Sequence, residues 1–320
     1  MSAYAGLPNK MRPSKLSEVI GQGHAVESLK GMAKSGFPHF IMFTGPSGCG
    51  KTTLARIIAN RLGCTPENLE EINAASDRGI DLVRRIESHV GYNPIGGGES
   101  RVWLIDECHQ LSGDAQGGFL KVLEDPPSHA YFIFCTTDPQ KLRQTIRTRA
   151  TIIELKAVKI ADLKQVILRA LDAEVCIDEN GNEHIPEVSD DVIDKIAEYA
   201  DGSPRKALVL LGQVLGIVGE DEQMKALQAT LPSKDAIEIP RTLLKRGSQF
   251  ADVLSVIKSI QDMDEQAEKI RWLVLSYMTK VALTGGKDVA RAMQIIDAFR
   301  DNYYDTKGAG LILSCHQCYV

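Results

Sequence analysis

No stretch of this chain stays apolar long enough to cross a bilayer, and residues 1–20 hold none of the apolar block that a secretory leader needs. Membrane spans and export are not expected, and the cytoplasm is the default. An excess of positive charge is missing too: 37 Lys and Arg stand against 42 Asp and Glu, a formal net charge of −5. Such a chain has no global attraction for nucleic acid, so any DNA contact must come from a local patch. Cysteines are few and odd in number, seven in 320 residues, at positions 49, 64, 108, 135, 176, 315 and 318. Most are scattered through apolar segments, which fits reduced, buried thiols rather than a disulfide framework. Cys315 and Cys318 are spaced like half a metal site, but no second pair completes four ligands, so a plain helical placement is expected. Internal repeats and low-complexity tracts are also lacking.

What is present is an ordinary globular composition, 43% hydrophobic and 25% charged, with length for two or three domains. Its most informative stretch is Gly45-Pro46-Ser47-Gly48-Cys49-Gly50-Lys51-Thr52, followed by Thr53, which fits the phosphate-cradling pattern GxxxxGK[ST]. Apolar residues 40–43 supply a buried strand before it. The glycines let the loop fold back so that successive backbone N–H groups point inward at an anion. A helix starting near Lys51 adds unsatisfied donors and a positive dipole end. Lys51 can reach the outer phosphates and the Thr52 hydroxyl can ligate Mg²⁺. The pattern specifies ATP or GTP binding; by itself it names no function.

Along the chain, Arg12-Pro13 and residues 16–22 lead into an amphipathic helix around 24–35, which read alone could be an N-terminal brace. After the strand at 40–44 and a helix to about residue 62, a second strand is expected at 69–73 and a helix over 80–90. Residues 92–100 form a loop around Gly96-Gly97-Gly98. The next strand, 101–105, ends in Asp106-Glu107. An acidic pair at the carboxyl end of an apolar strand, downstream of a phosphate loop, can hold Mg²⁺ through water at Asp106 and polarise an attacking water at Glu107. A helix cap is the bland alternative. A helix at 113–123 precedes a strand at 131–135 that ends in Thr136-Thr137, hydroxyls that either reach a γ-phosphate or cap the next helix. Residues 141–149 carry Lys141, Arg143, Arg147 and Arg149 without an acid; the run is either a solvated helix face or an arginine presented to phosphate. A fifth strand closes the sheet at 151–155.

Alternating strands and helices predict a doubly wound parallel α/β domain with its ligand beyond the strand carboxyl ends. The strand signal then stops. A small helical domain is expected over 160–229, a linker at 232–248, and three or four helices over 249–320 with Trp272, Leu273 and Leu275 on buried faces. Arg205, in a helix's first turn after Pro204, opposes the dipole there, so it serves something outside its own helix.

The stretch from Arg101 to Ser112, then Phe119 to Pro127, then Cys135 to Leu142, resembles the bacterial clamp loader ATPase subunit, gamma/tau. The turn Asn73 to Asp81 looks more like the small subunits of replication factor C. Both are sliding-clamp loaders of the AAA+ class, and the likeness covers roughly residues 11–215. It implies a nucleotide-binding domain with a five-stranded parallel sheet at 1–157, a helical lid at 158–229 and a helical collar for oligomerisation at 230–320. It also implies roles. Gly45 to Thr53 would bind ATP, Thr52 and Asp106 the metal, and Glu107 would be the base. Thr137, with Thr136 beside it, would be the first sensor of the γ-phosphate and Arg205 the second. Arg149, in Thr148-Arg149-Ala150 where the family has Ser-Arg-Cys, would be a finger entering the neighbouring subunit's site; Arg12, Val19 and Ile20 match the adenine-side segment.

The same likeness implies other clamp loader subunits, often five in all, a sliding clamp, and primer-template DNA as partners. Arg78, Arg84 and Arg85 are candidate DNA contacts or a solvated face; Val90, Tyr92 and Ile95 are candidate clamp contacts or simple packing. Two features of gamma/tau are missing. The four-cysteine module has only Cys64 in its place, so zinc is not expected, and there is no tau-type extension, which points to a compact subunit of the kind a phage or other minimal replication system would use. Rival readings are a DECH-type helicase, spelled by Asp106-Glu107-Cys108-His109 but requiring a second RecA-like sheet; a clamp-loader subunit with a vestigial site, opposed by the intact Lys51, Thr52, Asp106 and Glu107; and another AAA+ remodeller such as a helicase loader.

Overall fold

The computed structural model describes residues 6–174, 176–177, 183–184, 187–229, 234–260, 263–303 and 306–319. Residues 1–5 and the expected lid–collar junction at 230–233 lie outside them. Five parallel strands form one sheet, β1 (Phe40–Thr44), β2 (Leu69–Asn73), β3 (Arg101–Asp106), β4 (Ala130–Thr136) and β5 (Thr151–Glu154), in the order β2-β3-β4-β1-β5. Parallel neighbours need crossovers, and helices Lys51–Arg61, Ile80–His89 and Gly113–Glu124 supply them.

The inner strands β1, β3 and β4 read as continuous apolar runs because both faces of the sheet are covered there, whereas the edge strands β2 and β5 carry exposed Glu71 and Glu154. Successive side chains alternate between faces. Met42, Trp103, Ile105, Phe132 and Phe134 therefore meet Leu82, Val83, Ile86 and Phe119 on one side, while Ile41, Phe43, Leu104, Ile133 and Cys135 meet Leu29, Leu54 and Ile58 on the other. Trp103 stacks on Phe132 with ring centroids 5.2 Å apart, and its indole N–H donates to Glu70 Oε2 at 2.9 Å. A stack of this kind adds about 0.5–1.5 kcal/mol beyond area burial. The packing fixes the carboxyl ends of β1, β3 and β4, which carry the site.

The chain divides into two compact units, residues 1–220 and 221–320. The first also contains helices Ile160–Ala173, Asp190–Tyr199 and Pro204–Val214, packed through Leu163, Ile167, Ile196, Leu208 and Leu211. It includes one element that the sequence reading misses, a two-stranded antiparallel ladder of β6 (Cys176–Ile177) and β7 (Glu183–His184). Each strand is two residues long, too short to register as periodicity in the sequence.

In the second unit two expectations fail. Residues 234–244 are not a linker: a short 3₁₀ turn at Lys234–Ile237 runs into helix Glu238–Leu244, which buries Ile239 and Leu243. Pro240 disguises it, yet it sits in the first turn, where its missing N–H has no partner to lose. Trp272, expected inside, is 59% exposed. Burial along helix Met263–Thr284 follows Ala267, Ile270, Arg271, Val274 and Met278, and a residue one step past Arg271 turns about 100° away. Leu273 and Leu275 are half-buried. Arg271 takes the inward place, held by Glu268 Oε1 at 2.7 Å and the carbonyls of Phe299 and Arg300 at 3.0 and 3.2 Å. Helices Phe250–Ser259, Val289–Ala298 and Lys307–Gln317 complete the unit. Cys315 and Cys318 are buried at its end, where burial pushes both thiols up, Cys318 to about 11.

Candidate nucleotide site

The site begins where β1 stops. Gly45 and Gly48 have φ of +138° and +73°, and Cβ atoms there would come within 2.2 Å of the Leu155 carbonyl oxygen and of Ser203 Oγ respectively. Only glycine lets the loop turn this tightly while β5 and the Ser203 turn lie against it. Lys51 opens the following helix and is 6% exposed. Its ammonium donates to the carbonyls of Gly45 and Pro46, each at 2.8 Å, leaving one of its three donors for an anion.

Because β4 lies between β1 and β3, the phosphate loop and the acidic strand end are about two strand spacings, roughly 10 Å, apart. Thr52 closes that gap. Its Oγ1 donates to Asp106 Oδ2 at 2.7 Å, while Asp106 Oδ1 accepts the Glu107 N–H at 2.9 Å. A hydroxyl beside a carboxylate is a donor set suited to a hard cation that keeps most of its waters. Glu107 itself turns out of the strand at φ +50°, a left-handed conformation that costs a non-glycine residue about 1–3 kcal/mol. Its Oε2 lies 3.4 Å from His109 Nδ1.

These groups face a cavity of about 530 Å³ lined by Ser47 to Thr53, Arg12, Val19, Ile20, Asp106, Glu107 and Arg205, a size suited to a small-molecule ligand. Its wall carries five cations, Arg12, Lys51, Arg56, Arg169 and Arg205, and four carboxylates, Glu18, Glu71, Asp106 and Glu107. Arg56 is paired with Glu71 at 2.6 Å, and Arg169 donates to the Glu18 carbonyl at 2.9 Å. Arg12 donates to Asn9 Oδ1 at 3.0 Å, but its other terminal nitrogen is buried without a partner among the described residues. Burial, then the nearby Arg56 and Arg205, hold the Arg12 pKa below the ordinary guanidinium value. An orphaned buried donor beside further cations is the chemistry that fits a polyanionic ligand. Arg205 brings the Pro204–Val214 helix to the loop, its N–H lying 3.5 Å from the Gly48 carbonyl. Gln22, buried, bonds the Lys156 backbone with both arms, at 2.7 and 3.2 Å, where the sheet hands over to the helices.

Not every sequence candidate converges here. Thr136 is buried at the end of β4, whereas Thr137 is exposed and does not line the cavity. Arg149 is outside it as well, donating to Glu124 and to the Thr145 carbonyl, each at 3.0 Å. Arg78, Arg84 and Arg85 are exposed; Arg84 pairs with Asp81 at 3.0 Å and Arg85 with Asp77 at 2.8 Å. Arg56, Asn73 and Arg169 line the cavity and were missed. Arg56 was findable, one helical turn after Thr52 on the same face; Arg169 comes from a distant helix and has no local signal.

The fold is that of the AAA+ P-loop class. Residues 15–90 match the family described as magnesium chelatase, subunit ChlI, and residues 67–159 that described as DNA polymerase III, delta subunit. The Thermotoga maritima RuvB Holliday junction branch migration motor shares the fold, with a TM-score of 0.59 at 23% identity over 83% of this chain and 91% of that one. More particularly, the chain is a homologue of DNA polymerase III tau and gamma subunits. It is 32% identical to the Bacillus subtilis tau subunit over 93% of this chain and 56% of that protein. The Salmonella typhimurium tau subunit is 29% identical over 88% of this chain and 46% of its own length, and the Buchnera aphidicola gamma subunit 27% identical over 88% and 80%. The chain thus spans about half the length of the tau relatives. The second RecA-like sheet that the helicase reading requires is not among the described residues, and no helix among them is long and apolar enough to cross a membrane.

Proposed function

We propose that this chain is the ATP-hydrolysing motor subunit of a DNA polymerase sliding-clamp loader. The observation that carries the proposal is the 2.7 Å hydrogen bond from Thr52 to Asp106, which joins a phosphate loop to an acidic strand end within one cavity, in a homologue of tau and gamma. In this reading the loop N–H groups from Gly45 to Thr53 and the Lys51 ammonium hold the phosphates of ATP. Thr52 and Asp106 hold Mg²⁺, which when bound offsets charge on the phosphate oxygens. Glu107 accepts the proton of the attacking water, Arg12, Val19 and Ile20 bound the nucleoside end, and Arg205 completes the phosphate end from the lid. Thr137 senses the γ-phosphate after a small movement of the β4 end.

Arg149 lines no part of its own chain's cavity, which supports a role in trans: it enters the site of the adjacent subunit and stabilises transition-state charge there. The assembly this requires, five subunits joined through a collar at 230–320 and each carrying a nucleotide domain at 1–157 and a lid at 158–229, is part of the same proposal. ATP held between subunits shapes a spiral that opens the clamp, and primer-template DNA triggers hydrolysis and release. Tyr92 and Ile95, each 62% exposed, offer the clamp an apolar contact next to Val90. Arg78, Arg84 and Arg85 offer DNA phosphates a cationic one. The site of action is the cytoplasm, that of a host if a phage encodes the chain. The test is the ATPase rate of this chain with its partner subunits, with and without the cognate clamp and primer-template DNA. Synergistic stimulation is expected; robust turnover indifferent to the clamp would instead mark another AAA+ remodeller.

A further inference from the structure

We propose that His109 is a positioning residue for the catalytic base, tying the Glu107 carboxylate to the end of β4. The inference deepens the ATPase reading and rests on it. The His109 ring is almost wholly enclosed, its side chain 8% exposed, yet its partners are polar. Nδ1 lies 3.1 Å from Thr136 Oγ1 and 3.4 Å from Glu107 Oε2, and Nε2 lies 3.1 Å from the side-chain nitrogen of Gln110. The Gln110 amide donates to Nε2, so a neutral ring carries its proton on Nδ1. That single N–H is bonded to the Thr136 oxygen, and the Glu107 carboxylate lies beside it, 3.4 Å from the same nitrogen. Thr136 Oγ1 is pinned in turn, accepting the Asp138 N–H at 3.0 Å.

The tether matters because little else restrains the carboxylate. Glu107 leaves the strand in a left-handed turn, and its side chain is 37% exposed. Among the described residues the one charged or polar side chain found against its carboxylate is His109, at 3.4 Å. His109 does not line the cavity, so it acts on bound nucleotide only through Glu107. Thr136 precedes Thr137, the proposed γ-phosphate sensor. A shift of the β4 end on nucleotide binding is therefore passed through one imidazole to the base, which makes Glu107's aim dependent on what the sensor strand touches. An enclosed histidine satisfied by neighbours for packing alone would predict a different outcome on substitution.

The experiment compares the chain and its variants in the assembled complex, measuring kcat for ATP, affinity for a fluorescent ATP analogue and melting temperature. His109→Leu removes the donor. His109→Asn keeps an amide N–H on Cγ, at the position of Nδ1. The Leu variant is expected to lose roughly tenfold to a hundredfold in kcat, the scale on which a misplaced catalytic group loses rate, with analogue affinity unchanged. The Asn variant should recover most of the rate, and in a Glu107→Gln background His109→Leu should cause no further loss. Wild-type turnover by His109→Leu overturns the inference. So does a joint fall of affinity and melting temperature that Asn does not rescue. If Glu107→Gln turns over like the wild type, the ATPase reading itself fails and this inference falls with it; a loss on Glu107→Gln without one on His109→Leu removes only the tether.

Discussion

Among single residues, the contrast between Arg205 and Arg149 is the most informative. Both are arginines far from the phosphate loop in sequence, but Arg205 lines the cavity of its own chain while Arg149 rests on Glu124, 3.0 Å away on an exposed surface. An exposed ion pair contributes little to stability, about 0–1 kcal/mol, so Arg149 can leave Glu124 for another partner. Arg149→Ala is expected to keep ATP binding and to lower turnover of the assembled complex by roughly 10³ or more, the contribution of arginines supplied in trans. Hydrolysis at the wild-type rate would remove Arg149 from the mechanism. Lys51, Thr52, Asp106 and Glu107 were legible because each belongs to a short motif whose local geometry sets its neighbours. Thr137 was legible as a type but not as a place: the register pairs Thr136 with Thr44 and leaves Thr137 beyond the strand, turned outward.

Elements were readable where their periodicity was clean. Strands β1, β3 and β4 fall within a residue of expectation because runs buried on both faces have no polar interruption, whereas helix Glu238–Leu244 is hidden by its proline and the buried face of the long helix Met263–Thr284 is out of phase with the expected one. That helix carries a pH-sensitive contact. Burial pushes the Glu268 carboxyl up, but Arg271 and the Tyr303 N–H, which donates to Glu268 Oε2 at 2.8 Å, more than offset this and hold its pKa below the ordinary value. A carboxylate depressed in the folded state contributes stability that is present above its unfolded pKa, about 4.3, and is lost as pH falls through the folded one. The melting temperature of this unit is thus expected to drop as pH falls below about 4.3. Glu268→Gln should flatten that limb and cost about 1–3 kcal/mol at neutral pH, by leaving Arg271 short of acceptors. An unchanged acid limb in the variant, followed by circular dichroism, would show that the contact does not report on pH.

At the scale of the whole molecule, two units hold two separate cores. The cavity draws every lining residue from the first unit, while Ile270, Phe299, Leu311 and Cys315 form the core of the second. A ligand that binds only the folded form stabilises it by about 2.7 kcal/mol at a hundred times its Kd. Added ATP analogue with Mg²⁺ is therefore expected to slow hydrogen exchange in β1, the phosphate loop and helix Pro204–Val214, and to leave the amides around Phe299 and Leu311 unchanged. Equal slowing of the second core would mean that the units do not respond separately.

The sequence by itself determined the P-loop α/β class, the strand order of appearance and the place of the phosphate-loop motif at the end of β1, because these depend on local backbone geometry and on runs of like residues. Only the tertiary structure decided which groups meet at the cavity and behind it: Arg169 on Glu18 at its wall, and outside it Gln22 on Lys156 and His109 on Thr136 beside Glu107. These contacts join segments brought together by crossovers and packing of the sheet, and nothing in the spacing of residues along a chain encodes a distance of 3 Å between elements that far apart.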